Sequence, residues 1–407
     1  ASTAAKTEAD RLTSEAARAR REAYAKFDAD EDGEPRWADA RRFAADARAK
    51  YREATVELEA AFLVDSGSVR EQMAAVLVAH AELAEAERDD VGVAELLLRL
   101  QAYDSEGVSR WHQPARLVVE LDRPGRITVH AFRPDAETTI AGGFDARPIF
   151  ERDGARLDEL LRPGSYVSVI AMPDGHVVRD PVLLARGERL VRAIAVPPRS
   201  AAPAGFVFIP AGRSLYGSAR EDAFRREWLT AQPQHEVHDD AFWIARTEVT
   251  FDQWIQYLRA LSPDERQRRR PSLETTQNTV SLDEKNGRFS LSIRPATTMY
   301  QADEGSPLVY PGWNWFGLRS PGRNERREVR WERLPVVGIS YLDALAYAAW
   351  LGDTGRVPGA RVCTLREWER AARGADGRSF PHGEVLRPSD ANFDETYDRT
   401  SLGYGPD

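Results

Sequence analysis

The chain has 407 residues, of which 42% are hydrophobic and 30% charged. This composition is typical of a globular protein with room for two or three domains. A formal net charge of −9 argues against a dedicated nucleic-acid-binding protein. A single cysteine excludes an intramolecular disulfide, and no apolar run approaches the roughly 20 residues that cross a bilayer.

Residues 1–110 are predicted to be helical, because they are rich in Ala, Glu and Arg and nearly free of Gly and Pro. Apolar residues recur at helical spacing between residues 51 and 84. Three turn-like stretches divide the segment into four helices: residues 32–33, 65–68 and 88–90. We predict a bundle of antiparallel hairpins that resembles a short array of tetratricopeptide-like repeats.

The first of these turns, in F-D-A-D-E-D-G-E-P-R-W-A-D, has the spacing of a calcium-binding loop. Five residues fall on ligand or glycine positions of an EF-hand: Asp28, Asp30, Asp32, Gly33 and Asp39. However, Pro35 stands where such a loop has an apolar residue, and Asp39 is shorter than the usual bidentate Glu. These departures favour a solvated acidic turn over a calcium site.

Residues 111–198 contain short β-rich runs separated by turns such as R-P-G and R-P-G-S. The pattern predicts a small antiparallel β-sandwich. The run P-G-S-Y-V-S-V-I-A-M-P-D-G-H-V-V-R-D-P-V resembles the PEGA modules of bacterial surface and kinase-associated proteins, a resemblance that implies no catalysis. We expect His130 and His176 to be isolated residues that face solvent or stabilise turns.

Residues 199–204, mostly small residues with one proline that follow Pro197 and Pro198, are the predicted linker to a third region, residues 205–407. Eight of the ten tryptophans lie after residue 205, which suits a fold with little regular secondary structure. Three pairs of residues have the spacing of helix capping boxes: Thr250 with Gln253, Ser340 with Asp343, and Thr364 with Glu367. Glu367 and Glu369 could form an acid pair, but capping and ion pairs with Arg370 or Arg373 explain them better.

Several blocks of this region, in this order, resemble the formylglycine-generating enzyme (sulfatase-modifying factor) superfamily. The blocks are G-F-V-F-I-P-A-G-R-S-L-Y-G-S, P-Q-H-E-V-H-D-D-A-F-W-I-A-R-T-E-V-T-F-D-Q-W, L-P-V-V-G-I-S-Y-L-D-A-L-A-Y-A-A-W-L, R-V-C-T-L-R-E-W-E-R-A-A-R-G and A-N-F. The resemblance implies a loop-rich α+β variant of the C-type-lectin fold. The whole chain is thus predicted to be an α+β multidomain protein: a helical repeat-like bundle, a β-sandwich and this domain, with the C-terminal half of the domain missing.

The two upstream regions resemble the segment that follows the kinase domain in certain bacterial Ser/Thr kinases. The stretches that carry this resemblance are A-K-F-D-A-D-E-D-G-E-P-R-W-A-D-A-R and E-L-L-L-R-L-Q-A-Y-D. It implies a bacterial, cytoplasmic signalling protein, although the chain itself contains no kinase motif.

Family members that are aerobic oxidases use two cysteines that bind copper, near an Arg-Gly-Gly-Ser block and after a Gly-Asn-Val-Trp-Glu-Trp block. Neither block occurs in this chain, nor does the H-x-x-x-H-x-E spacing of the ergothioneine-type iron site. Cys363 stands where the family usually has proline, and we expect it to face the core as a small apolar group. We therefore predict no catalytic and no cofactor-binding residues here.

The family's calcium ligands begin at the A-N block, so Asn392 and Phe393 are the candidate metal residues.

Three further histidines are candidates for chemistry. His235 and His238 lie on a predicted strand, where residues three apart point to opposite faces, which disfavours a shared metal. His382, in F-P-H-G, lies where the family commonly has a tryptophan, and we expect a packing or turn role.

Residues 266–331 are predicted to be a long surface insertion with basic patches. This insertion is either a recognition surface or a mobile excursion.

The sequence predicts a non-catalytic regulatory protein that acts through protein–protein recognition. Half of a lectin-like domain would expose its aromatic core, so we expect a second polypeptide segment to complete it. Cleavage after Asp407 by an aspartate-specific, caspase-like protease and a boundary without biological meaning both explain the last residue. The alternatives to recognition are a fragment of a formylglycine-generating oxidase, with its cysteines beyond residue 407, and a purely structural subunit.

Overall fold

The computed structural model describes residues 2–62, 66–133, 139–140, 142–220, 222–274, 279–294, 299–309 and 328–386. Helices dominate the first hundred residues, and antiparallel sheets occupy most of the rest, so the predicted α+β class is confirmed. Within the described part of the chain, no helix is both long enough and apolar enough to cross a membrane.

The N-terminal region consists of five helices that pack on one another in chain order. They are α1 (Ser2–Asp28), α2 (Glu34–Phe62), α3 (Ser66–Ala86), α4 (Asp90–Tyr103) and α5 (Ser105–Trp111). Alanines line the facing sides of α1 and α2, including Ala9, Ala16 and Ala44, which are fully or almost fully buried. The small side chains let the two helix backbones approach closely, and Tyr51, Met73 and Leu77 fill the centre of the bundle.

The predicted breaks separate α1 through α4, but the sequence did not predict the fifth helix. Asp104 starts it as an N-cap, because its carboxylate accepts a hydrogen bond from the amide of Gly107. The helices α1 and α2 have 27 and 29 residues. A tetratricopeptide repeat fits two helices and a turn into about 34 residues. The helical hairpins are therefore confirmed, but each is much longer than such a repeat.

The second region is a single five-stranded sheet in the order β4-β1-β5-β6, in which β7 pairs with β1. Its strands are β1 (Ala115–Ala131), β4 (Phe150–Leu161), β5 (Gly164–Ala171), β6 (Val177–Leu184) and β7 (Arg189–Ile194), and the short β2 (Thr139–Ile140) and β3 (Phe144–Asp145) form a separate pair. All pairs in the five-stranded sheet are antiparallel except β1–β7, which is parallel.

The sheet differs from the predicted purely antiparallel sandwich, because β1 pairs with different strands along its length and one of these pairs, β1–β7, is parallel. Its register with β4 shifts between Glu120 and Gly125. The first part of β1 pairs with β7 and the second with β5. Gly125 suits this point, since a Cβ atom there would lie 2.9 Å from Sδ of Met172. One bent strand thus encloses a core that includes Leu117, Ile127 and Ile170.

The third region has short strands and helices connected by loops. Its strands are β8 (Phe206–Ile209), β9 (Gly212–Tyr216), β10 (His235–Asp239), β11 (Phe242–Ala245), β12 (Ser272–Glu274), β13 (Thr279–Lys285), β14 (Arg288–Arg294), β15 (Tyr300–Asp303), β16 (Leu308–Val309) and β17 (Glu328–Val329). Its helices are α6 (Asp222–Phe224), which continues as a π-helical turn over Arg225–Leu229, α7 (Phe251–Ala260), α8 (Pro263–Arg268), α9 (Tyr341–Asp353) and α10 (Leu365–Arg373). Antiparallel pairs join β8 to β11 and β9 to β10.

The described part of residues 266–331 corrects the prediction of a surface excursion. Strands β12–β15 form a four-stranded antiparallel sheet whose inner side chains, such as Leu282 and Leu291, pack with Trp254 of α7. The basic residues Arg266 and Arg269 also differ from a free patch, because they pair with acidic side chains at 2.9 Å. Alternating apolar residues in β13 and β14 therefore build core rather than a mobile loop.

Candidate functional site at the junction of the three regions

Helix α10 contacts the main chain at both ends of β9 in the third region. Thr364 caps it, and Glu367 completes the capping box as predicted. One turn further along the helix, the buried Arg370 donates to the carbonyl oxygens of Gly212 and Pro210 at 2.6 and 2.8 Å. Burial lowers the pKa of this guanidinium. Helix α10 is therefore anchored by polar contacts to main-chain atoms next to β9.

The neighbouring glutamate holds the same strand from its other end. Glu369 accepts a hydrogen bond from the amide of Gly217 at 3.0 Å and pairs with Arg373. Arg373 also donates to the carbonyl oxygen of Gly217 at 3.1 Å. The two glutamates of α10 thus have separate partners and do not form an acid pair, while the ion pair suggested for Arg370 is replaced by bonds to carbonyls.

A buried ion pair within the five-stranded sheet lies against the third region. Arg192 of β7 donates to both carboxylate oxygens of Asp180 of β6, at 2.9 and 2.7 Å. The same guanidinium donates to the carbonyl oxygen of Ala211, in the third region, at 2.5 Å. The side chain of Asp180 is entirely buried. The pair therefore lies within the sheet, and the bond from Arg192 to Ala211 is the contact that links it to the third region.

A second buried pair closes this junction near the end of the described chain. Arg378 pairs with Asp376, whose carboxylate also accepts a hydrogen bond from Ser165 of β5. Although burial favours the neutral acid, Arg378 holds the pKa of Asp376 below its usual value. The guanidinium lies 4.2 Å from the ring centre of Phe132 and 4.9 Å from that of Phe144. It therefore combines an ion pair with cation–π contacts.

The turn between α1 and α2 contacts the third region through charged groups. Asp28 accepts hydrogen bonds from His235 of β10 at 2.9 Å and from Arg366 of α10 at 2.5 Å. Glu34 accepts two hydrogen bonds from the fully buried Arg225, at 2.8 and 2.9 Å. The acidic turn is therefore not simply solvated, as the sequence had indicated, but is a docking element.

The candidate metal and thiol residues lie apart from this junction or outside the described residues. Among the described residues, no group of three or more His, Cys, Asp or Glu side chains could hold a metal ion. Asn392 and Phe393 lie outside the described residues, so a calcium site there stays a prediction. Cys363 is exposed, and the prediction that it faces the core is wrong. The reason is local: the stretch before the Thr364 cap runs along the surface.

The histidines follow their local structure. His235 is buried and His238 exposed on the same strand, so their predicted placement on opposite faces is confirmed. Nδ1 of His176 donates a hydrogen bond to the carbonyl oxygen of Pro197 at 2.8 Å, so this residue stabilises a turn as expected. His382 is half-buried in its turn and stacks on Phe380, which agrees with the predicted packing or turn role. His130 is buried rather than solvent-facing.

Large apolar side chains remain exposed on α9 and α10. On α9 the exposed face contains Tyr341, Leu342 and Leu345, and on α10 it contains Leu365 and Trp368. Trp368 is 60% exposed and Leu342 71%. We call these five residues the apolar helix face. Exposed groups of this size on ordered helices commonly mark protein-binding surfaces.

Comparisons with known proteins agree with the resemblance found in the sequence. Residues 193–404 match the family described as "Sulfatase-modifying factor enzyme 1-like domain". A formylglycine-generating enzyme of Thermomonospora curvata is 28% identical over 191 residues, which cover 45% of this chain and 54% of the enzyme. The Ser/Thr kinase pkn1 of Chlamydia caviae is 26% identical over 188 residues, or 46% of this chain and 22% of the kinase.

A third relative carries a name that denies activity. The inactive C-alpha-formylglycine-generating enzyme 2 of Mus musculus is 38% identical over 80 residues, which cover 19% of this chain and 23% of that protein. The chain therefore spans between about a fifth and about half the length of these relatives. The family match begins within β7, ahead of the predicted start at residue 205. The PEGA-like character of residues 111–198 stays a prediction.

Proposed function

Since the chain belongs to the sulfatase-modifying factor enzyme 1-like family, we propose that it is a non-catalytic member that recognises protein partners in bacterial, cytoplasmic signalling. The similarity to proteins named as a Ser/Thr kinase and as an inactive formylglycine-generating enzyme supports this proposal. Both names show that domains of this family occur outside active formylglycine-generating enzymes.

The observation that carries the proposal is the apolar helix face. Its five side chains lie on helices that begin with complete capping boxes, so they are presented on ordered backbone. Helix α10 is further fixed through Arg370 and Glu369. Aromatic and aliphatic side chains on a rigid surface contribute most of the binding free energy in many protein interfaces. We infer that the partner is a polypeptide segment that buries apolar side chains against this face.

The proposal is tested with variants at Trp368 that are produced in the native host, so that the natural partner is present. A photo-crosslinking amino acid at position 368 should capture a partner, whereas the same amino acid at Arg226, also exposed, should not. The captured protein is then purified and its affinity measured by calorimetry. Trp368→Asp should weaken binding at least tenfold, since loss of a central aromatic residue commonly costs about 2 kcal/mol or more. Equal affinity for wild type and Trp368→Asp would contradict the proposal.

The alternative function is oxidation of a peptidyl cysteine, as the name of the Thermomonospora curvata relative indicates for that protein. The assay is incubation of the protein, supplied with copper and oxygen, with a cysteine-containing peptide and mass analysis for formylglycine. Formation of formylglycine at a rate proportional to protein concentration would overturn the non-catalytic assignment. Unchanged peptide, with the partner bound as above, supports it.

A further inference from the structure

His235 occupies an unusual position between the helical region and the third region. Its side chain is 1% exposed and lies on β10. The imidazole stacks on Tyr24 of α1, with ring centres 4.6 Å apart, and meets the edge of Tyr216 at 6.1 Å. The histidine is therefore enclosed by aromatic rings from both regions, and water has little access to it.

Both ring nitrogens of His235 face oxygen atoms that can only accept hydrogen bonds. Nδ1 lies 2.8 Å from the carbonyl oxygen of Pro233, and Nε2 lies 2.9 Å from Oδ1 of Asp28. A neutral imidazole carries one N–H, so it satisfies one of these contacts and turns a lone pair toward the other oxygen. Only the imidazolium donates to both. The geometry is therefore that of a protonated histidine beside an ionised carboxylate.

The charged and titratable groups around the ring come from four elements. They are Tyr24 and Asp28 on α1, Tyr216 on β9, Arg366 and Glu369 on α10, and Glu236 and His238 on β10 itself. Burial raises the pKa of Tyr24 and of Tyr216, so both stay neutral near pH 7. Glu369 is paired with Arg373. Glu236 and His238 are on the exposed side of the strand.

We propose that His235 is a pH-dependent latch that holds the turn between α1 and α2 against the third region when its imidazole is protonated. Loss of this proton removes one of the two hydrogen bonds of the ring, so the latch is closed when the imidazole is protonated and loosens when it is neutral. Arg366 keeps a contact with Asp28 in either state, and Glu34 keeps its contact with Arg225. Loss of the proton therefore loosens the turn locally without separating the regions.

The direct test is the protonation state of the ring in the full chain. The seven histidines are labelled with ¹⁵N, and the His235 signals are assigned by their loss in His235→Gln. At pH 5.5 both His235 nitrogens should show the chemical shifts of protonated imidazolium. A single protonated nitrogen at pH 5.5 would overturn the proposal.

The functional consequence is tested by hydrogen exchange of the turn, residues 24–37, after correction for the intrinsic effect of pH. Exchange in the wild type should be roughly tenfold faster at pH 8 than at pH 5.5, because a hydrogen bond between charged groups is lost. His235→Gln should remove this difference, whereas His238→Gln, on the exposed side of the same strand, should keep it. Asp28→Asn should also remove it, since an amide can meet Nε2 with either its oxygen or its N–H₂ group. An unchanged pH difference in His235→Gln would refute the latch.

Discussion

The third region is held by two junctions that use the same kinds of side chain in different surroundings. Toward the five-stranded sheet, Asp180 is wholly buried and its partner Arg192 nearly so. Toward the helical region, Asp28 and Glu34 remain 40% and 29% exposed, although His235 and Arg225 are buried. At the sheet, both charges have left water, whereas at the helices one member of each pair keeps part of its hydration.

The difference has a physical consequence. Both members of the Asp180–Arg192 pair belong to the sheet, and the buried Arg192 reaches the third region through its bond to the carbonyl oxygen of Ala211. Separating the two regions would leave these buried polar groups without a partner, which is costly. A pair with a hydrated carboxylate opens at a smaller cost, because water replaces the lost partner. We therefore expect the sheet junction to be a permanent joint and the helical junction to be the adjustable one.

The largest effect should come from removing one partner of the buried pair. Arg192→Met leaves the buried Asp180 without its hydrogen-bonded cation, and we expect the free energy of unfolding to fall by about 3–5 kcal/mol. Denaturant unfolding, followed by tryptophan fluorescence, measures this change.

The control replaces both partners. In Asp180→Leu with Arg192→Met, neither member of the pair is left as an unpaired charge, so most of the lost stability should return. A double variant as unstable as the single one would show that the pair contributes through its hydrogen bond to Ala211 rather than through charge.

Sequence alone predicted features that depend on near neighbours. All three capping boxes are present, because a cap and its partner lie three residues apart and need no tertiary contact. Strand alternation likewise placed His235 and His238 on opposite faces. Neither junction could be predicted in this way, since Asp28 and His235 are 207 residues apart in the chain.

The candidate site also contains contacts between residues that are far apart in the chain and that the sequence could not predict. The sequence suggests Arg370 only as an ion-pair partner of the two glutamates, and the position of β9 explains why it is buried against carbonyl oxygens instead. No local pattern could show this contact, because Gly212 and Pro210 lie 158 and 160 residues before Arg370 in the chain. The prediction that Cys363 faces the core is wrong for a similar reason. The capping pattern shows where helix α10 begins, but it does not show whether the residue before the cap is buried.

An intermediate effect is expected at the helical junction. Arg225→Met removes two hydrogen bonds to Glu34 and one to the carbonyl oxygen of Ala231, and the released Glu34 gains water. We expect a loss of about 2 kcal/mol in the free energy of unfolding, smaller than for Arg192→Met. Arg226→Met, at the exposed neighbouring position, should change it by less than about 0.5 kcal/mol. Losses at Arg225 equal to those at Arg192 would contradict the proposed difference between the junctions.

The smallest effect concerns the two glutamates of α10, which should respond to pH in opposite directions. A hydrogen bond from Arg361 lowers the pKa of Glu367 to about 2. Its contribution is present above the ordinary pKa of a glutamate and is lost as the pH falls toward 2. Because Arg361 is largely exposed, we expect this contribution to be below about 1 kcal/mol. Glu367→Gln, which keeps the capping pattern, should flatten this part of the profile of unfolding free energy against pH.

Burial instead raises the pKa of Glu369, despite its pairing with Arg373. A raised pKa favours the neutral acid in the folded protein, so this residue adds stability as the pH falls and loses it as the pH rises. Glu369→Gln should therefore abolish a rise in the free energy of unfolding at acidic pH, whereas Glu367→Gln should abolish a fall in it. The comparison needs only the two single variants and the wild type, unfolded in urea between pH 3 and pH 7. Profiles that change in the same direction would show that the environment of α10 is uniform, and that the contrast between buried and hydrated charges does not extend to this helix.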